Sequence, residues 1–176
     1  MVLRRLIVFV LVLGGASTLK PAEQQAAFEF QDVDYFQRWS GGTQHEFTPA
    51  KQEDLDHWTD MMTINTYADV NDGEKLAGVA NAVLGNYQRA GKVLRTNSVP
   101  ATDEKPAEHF IAVMFSRPDF AEAAFARVKL HEGKGHSFVY SHRFYGKKAA
   151  DEMGEWLKTN GEKTEKALMD WEPPSR

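Results

Sequence analysis

The stretch "FAEAAFARVKLHEGKGHSFVYSHRFYG", residues 120–146, decides the fold that this sequence predicts. Two runs rich in apolar and aromatic residues flank "EGKG" at 132–135, a short glycine-containing segment typical of a hairpin turn. The run "EHFIAVMFS" at 108–116 comes before them, and "RPD" at 117–119 suits a tight turn. Since strands joined by tight turns are antiparallel neighbours, the sequence predicts three adjacent antiparallel strands.

Three histidines in this hairpin raise the question of a metal site. A turn centred on Gly133 and Lys134 places His131 opposite His136, with both side chains on one face. His142 lies six residues beyond His136, roughly 20 Å away at about 3.3 Å per residue, whereas a metal–imidazole bond measures about 2 Å. At most two of these histidines can therefore meet at one ion. We predict a solvated histidine pair at the turn and no metal site.

One face of the predicted sheet carries the candidate ligand site. The same register pairs Arg127 with Tyr140 and Phe125 with His142, and strand alternation adds Phe110 to their face. This face is either core or a groove in which Arg127 or Tyr140 meets a polar group of a ligand. Stacking of Arg127 on Tyr140 would explain that pair without a ligand. The candidate ligand-binding residues are Phe110, Phe125, Arg127, Tyr140 and His142, and the sequence points to no catalytic residue and no cofactor.

Helical periodicity occurs in two segments. The first helix is predicted to be capped by Asn71 or Asp72 and to end at Gly91. The second begins after Lys147, and we predict that it breaks and restarts at residues 160–161, an Asn-Gly pair. Helices packed on a mainly antiparallel sheet define an α+β fold.

Two shorter strands and a lead-in segment precede the first helix. "HEFTPA" at 45–50 and "WTDMMTINTY" at 58–67 are predicted strands. The lead-in, residues 18–44, is rich in aromatic residues and is predicted to be a short helix or an irregular strap. The domain organisation is therefore a single α+β domain at 45–172 with a disordered tail at 173–176.

The first 17 residues have the three parts of a secretory signal peptide. Arg4 and Arg5 supply the positive start, residues 6–13 are apolar, and residues 14–17 are small. The apolar run is too short to cross a bilayer, which needs about 20 residues. The sequence predicts a periplasmic or secreted protein with no stable membrane span after signal cleavage.

Composition excludes several classes of function. Without cysteine, the chain has no disulfide, no thiol nucleophile and no thiolate metal site. Removing Arg4 and Arg5 from the 21 Lys and Arg leaves 19 against 25 Asp and Glu, a net charge of −6. Because nucleic-acid binding needs a basic face, we predict no nucleic-acid partner. The expected partner is a small molecule or an envelope protein.

The order of predicted elements is two strands, a helix, four strands and a C-terminal helix, which resembles the PsbP-like fold, an α/β/α sandwich. The segment "FTPAKQEDLDHWTDMMTI", residues 47–64, is similar to the early strand, polar loop and Trp-containing strand of such proteins. The resemblance covers residues 45–171. It implies an exported or lumenal accessory protein that binds partners, and it implies no particular binding residue.

Motifs of common enzyme classes are missing from the sequence. It contains no nucleophile elbow, no phosphate-binding loop and no dinucleotide fingerprint. We expect a non-catalytic binding or accessory protein. The alternatives are a small hydrolase or other enzyme that uses His142 or His57 as acid or base, and a structural protein-interaction module. If the protein is an enzyme, we expect a polar cluster around a histidine in a pocket. If it is a binding protein, we expect a largely apolar cleft, and if it is an interaction module, an exposed apolar patch.

Overall fold

The computed structural model describes residues 25–174, which form one eight-stranded antiparallel sheet and two helices. The α+β fold class predicted from the sequence is confirmed. The strand order across the sheet is β1-β2-β3-β4-β8-β7-β6-β5. The elements are β1 (Phe28–Phe30), β2 (Val33–Gly41), β3 (Gln44–Pro49), β4 (Asp60–Tyr67), α1 (Gly73–Ala90), β5 (Lys92–Val99), β6 (Glu108–Ser116), β7 (Phe120–His131), β8 (Lys134–Tyr145) and α2 (Ala149–Asp170).

The turn of the β7–β8 hairpin lies one residue earlier than the sequence predicted. His131 pairs with Lys134, so the two turn residues are Glu132 and Gly133. Their φ angles are 50° and 76°, the pair of positive values that defines a type I′ turn. A left-handed conformation is uncommon for a residue with a side chain such as Glu132, which is why sequence alone favoured a turn that started at Gly133.

This change corrects three predicted cross-strand pairs. Each residue of β7 pairs with a β8 residue two positions earlier than expected. Because a shift of two residues keeps every side chain on its own face, the predicted face assignment is unaffected. The predicted pairs His131–His136, Arg127–Tyr140 and Phe125–His142 are wrong, and the observed pairs are Lys129–His136, Arg127–Phe138 and Phe125–Tyr140.

Helix α1 has the ends that the sequence predicted. Asp72 is the N-cap, and its side chain accepts a hydrogen bond from the backbone N–H of Lys75 at 2.8 Å. At the other end, the N–H of Gly91 donates to the carbonyl of Tyr87. Leu76 and Ala80 are buried against Val128 of β7, which anchors α1 on one face of the sheet.

Helix α2 is continuous, so the predicted break at residues 160–161 is wrong. The side-chain amide of Asn160 donates to the carbonyl of Trp156 within the helix, at 3.0 Å. Met153, Thr164 and Leu168 are buried along one side of the helix, on both sides of Gly161. Glycine inside a helix costs about 1 kcal/mol relative to alanine, and burial of a continuous stripe outweighs that cost.

The described part of the lead-in, residues 25–44, forms strands rather than the predicted helix or strap. Gln31 and Asp32 adopt φ angles of 52° and 61° in a tight turn that joins β1 to β2. Strand β2 then pairs with β3, which makes this segment part of the same sheet. The predicted signal peptide at 1–17 and residues 175 and 176 of the predicted tail lie outside the described residues. Pro173, within that predicted tail, is buried.

Each face of the sheet is packed against one helix. The face beneath α2, called the α2 face below, carries a large aromatic core, whereas α1 covers part of the opposite face at β5, β6 and β7. Within residues 25–174, neither helix combines the length and apolar character needed to cross a membrane. The core of the α2 face includes Phe28, Phe30, Tyr35, Phe47, Met62, Phe110, Phe125, Phe138, Tyr140, Met153 and Leu168.

Candidate functional site

The five candidate residues all lie on the α2 face, as strand alternation predicted, and all are largely buried. Phe110, Phe125, Arg127 and Tyr140 expose 4% or less of their surface. The side chain of His142 exposes 14%. Helix α2 packs mainly on β7 and β8, directly over these side chains. The structure therefore places the five residues in or next to the core beneath α2.

A polar cluster forms around Asp60, at the end of β8 that is remote from the hairpin turn. Asp60 begins β4 and is paired with His142 across the strands. The hydroxyl of Tyr140 donates to Asp60 Oδ1 at 2.8 Å, and His142 Nδ1 donates to the same oxygen at 2.9 Å. Thr59 Oγ1 lies 2.9 Å from the other carboxylate oxygen. One carboxylate thus gathers two of the predicted site residues into a single hydrogen-bonded group.

The charge of Asp60 is stabilised by this group. Burial alone would raise the pKa of Asp60, but the hydrogen bonds from His142 and Tyr140 and the charge of His142 outweigh it and lower the pKa. Burial and the nearby Asp60 carboxylate raise the pKa of Tyr140, so this phenol stays protonated and acts as a donor. The geometry therefore favours an ionised aspartate that is held by two neutral or cationic donors.

Aromatic side chains pack against the His142 ring of the same cluster. The Trp156 ring of α2 stacks on the His142 ring with centroids 4.4 Å apart and an interplanar angle of 12°. The Phe144 ring lies nearly perpendicular to that imidazole, at 4.9 Å between centroids. His142 Nε2 is buried and has no hydrogen-bond partner. An Asp–His pair can serve as a general base, but here the imidazole is covered by protein on its ring face.

Arg127 holds the end of α2. Its Nε and one terminal nitrogen donate to the two carboxylate oxygens of Glu108, at 2.7 and 3.0 Å. The other terminal nitrogen donates to the carbonyls of Leu168 and Trp171 at the C-terminus of α2. The side chain of Arg127 is only 3% exposed. Such bidentate pairing, together with the capping of helix carbonyls, accounts for this residue without a ligand.

A groove lies between α2 and strand β5 at the sheet edge. Three adjoining clefts of ≈ 320, ≈ 340 and ≈ 520 Å³ follow α2 from Leu157 to Asp170 and reach Glu172 just beyond its end. The groove exists because α2 sits over β7 and β8 and leaves the inner side of β5 uncovered. This α2 groove is lined by Leu94, Arg95, Val99, Glu108, Ala112, Phe125, Arg127, Lys129, Leu157, Gly161, Glu165, Met169 and Glu172, with a few further residues at its rim.

The two ends of the α2 groove differ in polarity. Leu94, Ala112, Phe125 and Leu157 make an apolar floor at one end. Arg127, Lys129, Glu108 and Glu172 lie at the other end, where they pair with one another. Between the two ends, Arg95 Nε lies 3.2 Å from Glu165 Oε2 in an ion pair that links β5 to α2. Two predicted residues, Phe125 and Arg127, thus line the groove, whereas His142 and Tyr140 belong to the Asp60 cluster.

Sequence reasoning missed three parts of this arrangement. The Asp60 cluster has no local sequence pattern, because the contacts of Asp60 with β8 span about eighty residues of sequence. Arg95 was not singled out, and Gly161 was identified only as part of a predicted helix break, because neither pattern records how its element packs. A short strand next to a helix that contains a half-buried glycine is too weak a pattern to locate a groove.

The turn histidines do meet, although they do not form a cross-strand pair. The rings of His131 and His136 have centroids 5.6 Å apart and are nearly perpendicular. His136 Nδ1 donates to the carbonyl of Lys134 at 3.2 Å, and His131 Nε2 is buried without a partner. Burial and the neighbouring His131 lower the pKa of His136, although the hydrogen bond to Lys134 opposes this.

The other histidine candidates are surface groups. His57 Nδ1 lies 3.2 Å from Asp54 Oδ2, and both side chains are more than 60% exposed. His45 shares a hydrogen bond with Ser40 at the surface. Between residues 25 and 174, no three metal-ligating side chains come together at one point.

No protein-family model matches this chain, and no curated protein matches it. The function therefore has to be inferred from the chemistry of the described residues.

Proposed function

We propose that this chain is an exported, non-catalytic binding protein that holds the apolar part of a small molecule in the α2 groove. The observation that carries the proposal is the apolar floor formed by Leu94, Ala112, Phe125 and Leu157, which opens to solvent beside an edge strand. Ligand sites are typically concave and mostly apolar, with a few polar groups that orient the ligand. Arg95 and Glu165 provide such groups at the rim of this floor.

Exposure within β5 supports the same location. Leu94 and Val99 are 39% and 44% exposed, which is high for large apolar side chains. Both line the α2 groove. A ligand that covered them would remove apolar surface from water, at roughly 25 cal/mol per Å². The groove follows α2 from Leu157 to Met169, twelve residue steps or roughly 18 Å at about 1.5 Å per residue.

The hydrolase alternative has one observation in its favour, the hydrogen-bonded pair of Asp60 and His142. Trp156 stacks on that imidazole, so a substrate could reach it only if α2 moved. We therefore rank catalysis second. Loss of esterase activity in His142→Gln, measured on a chromogenic ester, would favour the enzyme over the binding protein.

The proposal also includes export from the cytoplasm and membership of a fold family. The charged start, apolar run and small residues at 1–17 favour secretion to the envelope. Two helices on a mostly antiparallel sheet are compatible with the PsbP-like sandwich, whose members are often accessory proteins. The mass of the protein recovered from the envelope of its own host tests export, because cleavage would remove the first 16 or 17 residues.

Two glycines of α2 give a matched test of the groove. Gly161 lines the α2 groove, and a Cβ built there lies 3.9 Å from Leu157 Cδ2, within ordinary contact distance. Gly154 lies in the same helix, and a Cβ built there meets nothing within 4 Å. Gly161→Phe should fill the apolar end of the groove without disrupting the helix, whereas Gly154→Phe serves as the control.

The probe is 1-anilinonaphthalene-8-sulfonate, an amphiphile that fluoresces when it leaves water. Titration of wild type and Gly154→Phe should give the same saturable binding. Gly161→Phe should bind the probe at least tenfold more weakly, while its circular dichroism spectrum stays that of the wild type. Equal binding by the two variants would show that the groove is not the site.

A further inference from the structure

The β7–β8 turn brings two imidazoles to one small cavity, separate from the α2 groove. The cavity has a volume of ≈ 40 Å³ and is lined by both His131 and His136. About 10–15 Å³ is enough for one water-sized particle, so the space accommodates an ion. The remaining lining residues are Ile64, Thr66, Glu132, Phe138, Pro173 and Pro174.

One nitrogen of each ring has no hydrogen-bond partner among the described residues. His136 Nδ1 donates its proton to the Lys134 carbonyl, so Nε2 carries the lone pair when the ring is neutral. A backbone carbonyl that accepts from the opposite ring nitrogen is the usual support for a metal-ligating histidine. His131 Nε2 is buried and has no partner within the protein. A buried nitrogen without a partner is costly, and a bound cation would satisfy it.

Two charged residues lie close to this pair. Glu132 lies at the rim of the cavity, and Lys134 is the first residue of β8, directly after the turn. No carboxylate of the described residues forms an ion pair or hydrogen bond with either ring. This distinguishes the pair from His142, whose proton is held by Asp60.

We propose that His131 and His136 bind a single copper(I) ion through their Nε2 atoms. Imidazole is a good copper ligand, and copper(I) commonly accepts two nitrogen donors in a linear arrangement. An ion about 2 Å from each nitrogen in a linear arrangement needs ring centroids roughly 6.4 Å apart, so the two rings, at 5.6 Å, must separate by less than about 1 Å to bind it. Zinc prefers four ligands, and the described residues bring only these two imidazoles together here.

The apolar surroundings favour the same ion. Phe138 stacks parallel to the His136 ring, with centroids 5.5 Å apart, and Ile64, Pro173 and Pro174 line the cavity. Moving a monovalent ion with two neutral ligands out of water costs less than moving a divalent ion with the same ligands. The inference is independent of ligand binding in the α2 groove, since the two sites share no residue.

The test is an anaerobic competition for copper(I) against bicinchoninate, followed by the colour of the chelate. The wild type should withdraw one equivalent of copper(I). His131→Gln and His136→Gln should each bind at least tenfold more weakly, whereas His57→Gln, at an exposed loop histidine, should match the wild type. Equal withdrawal by His136→Gln, or none by the wild type, would overturn the proposal.

Imidazole nitrogen NMR provides a readout that does not depend on variants. Copper(I) is diamagnetic, so one equivalent should shift the Nε2 resonances of His131 and His136 and leave those of His142 in place. Shifts at His142 alone, or tighter binding of zinc than of copper(I) by the same protein, would also overturn the assignment.

Discussion

His142 and His131 lie on the same face of one hairpin, at opposite ends, and have very different surroundings. His142 donates to Asp60 and is stacked beneath Trp156 of α2. His131 meets another histidine near the turn and has no carboxylate partner. The comparison teaches that residue type alone does not decide the role of a histidine. His142 is held in place by a carboxylate and a covering helix. The pair at the turn has neither of these contacts.

The same helix creates both environments. The middle of α2 covers His142, and residues beyond its C-terminus line the cavity at the turn. Arg127 fastens the last turn of α2 to the sheet through the carbonyls of Leu168 and Trp171. The contrast between the two ends therefore depends on that anchor.

The largest effect should come from removing this anchor. Arg127→Met removes both hydrogen bonds to the Glu108 carboxylate, which is only 15% exposed and keeps only the longer contact with Lys129 at 3.7 Å, and it frees the end of α2. Removing one partner of a buried ion pair typically costs 3–5 kcal/mol, so the free energy of unfolding should fall by about 3–5 kcal/mol in urea denaturation. The copper(I) affinity of the turn should fall as well, because residues 173 and 174 would lose their position.

Arg95→Met is the matched control for that prediction. Arg95 also pairs with an acidic residue across the α2 groove, but its side chain is 54% exposed. Exposed ion pairs contribute about 0–1 kcal/mol, so the loss should be small. If the two arginine variants destabilised the protein equally, Arg127 would not be the anchor that the geometry indicates.

An intermediate effect should come from neutralising Asp60. Asp60→Asn removes the charge that accepts from Tyr140 and His142. Hydrogen bonds to charged groups contribute about 1.5–3 kcal/mol each, so a net loss of roughly 2–3 kcal/mol at pH 7 is expected in urea denaturation. Asp56→Asn, in the exposed loop that precedes β4, should leave the stability nearly unchanged.

The pH dependence of this loss has a defined sign. The folded-state pKa of Asp60 is lowered, so the unfolded chain takes up this proton first as the pH falls. The stabilisation is complete well above the unfolded value of about 3.9 and is lost as the pH falls through the folded pKa. The stability difference between wild type and Asp60→Asn should therefore shrink in acid. A difference that stays constant down to pH 3 would contradict this account.

The sequence was sufficient for the local features of both ends of the hairpin. Strand alternation assigned Phe125, Tyr140 and His142 to one face, and the assignment holds despite the register error. The error arose because Glu132 adopts a left-handed conformation, a choice that depends on strand twist rather than on residue preference. The helix break predicted at Gly161 failed because burial on the sheet outweighs helix propensity.

The long-range contacts could not be predicted from the sequence. Asp60 meets His142 across 82 residues, and nothing in either local pattern records the other. The α2 groove likewise depends on where a helix lies on a sheet that also includes the unexpected strands β1 and β2. Phe30, for example, packs on Tyr140, and a three-residue strand is too short to identify by periodicity.

The smallest and sharpest effect should come from one substitution made at both ends of the hairpin. His142→Phe keeps a ring on Trp156 but removes a donor from Asp60, so the free energy of unfolding should fall by about 1.5 kcal/mol, the low end for a hydrogen bond to a charged group. His131→Phe replaces a ring whose buried Nε2 has no partner, so the stability should stay the same or rise by less than about 1 kcal/mol. Parallel urea denaturation of the two variants measures the difference directly. Because size and aromatic character change equally at both positions, an opposite sign can come only from the surroundings. Equal losses would mean that Asp60 does not distinguish the two histidines, and that a bound ion or water already satisfies His131.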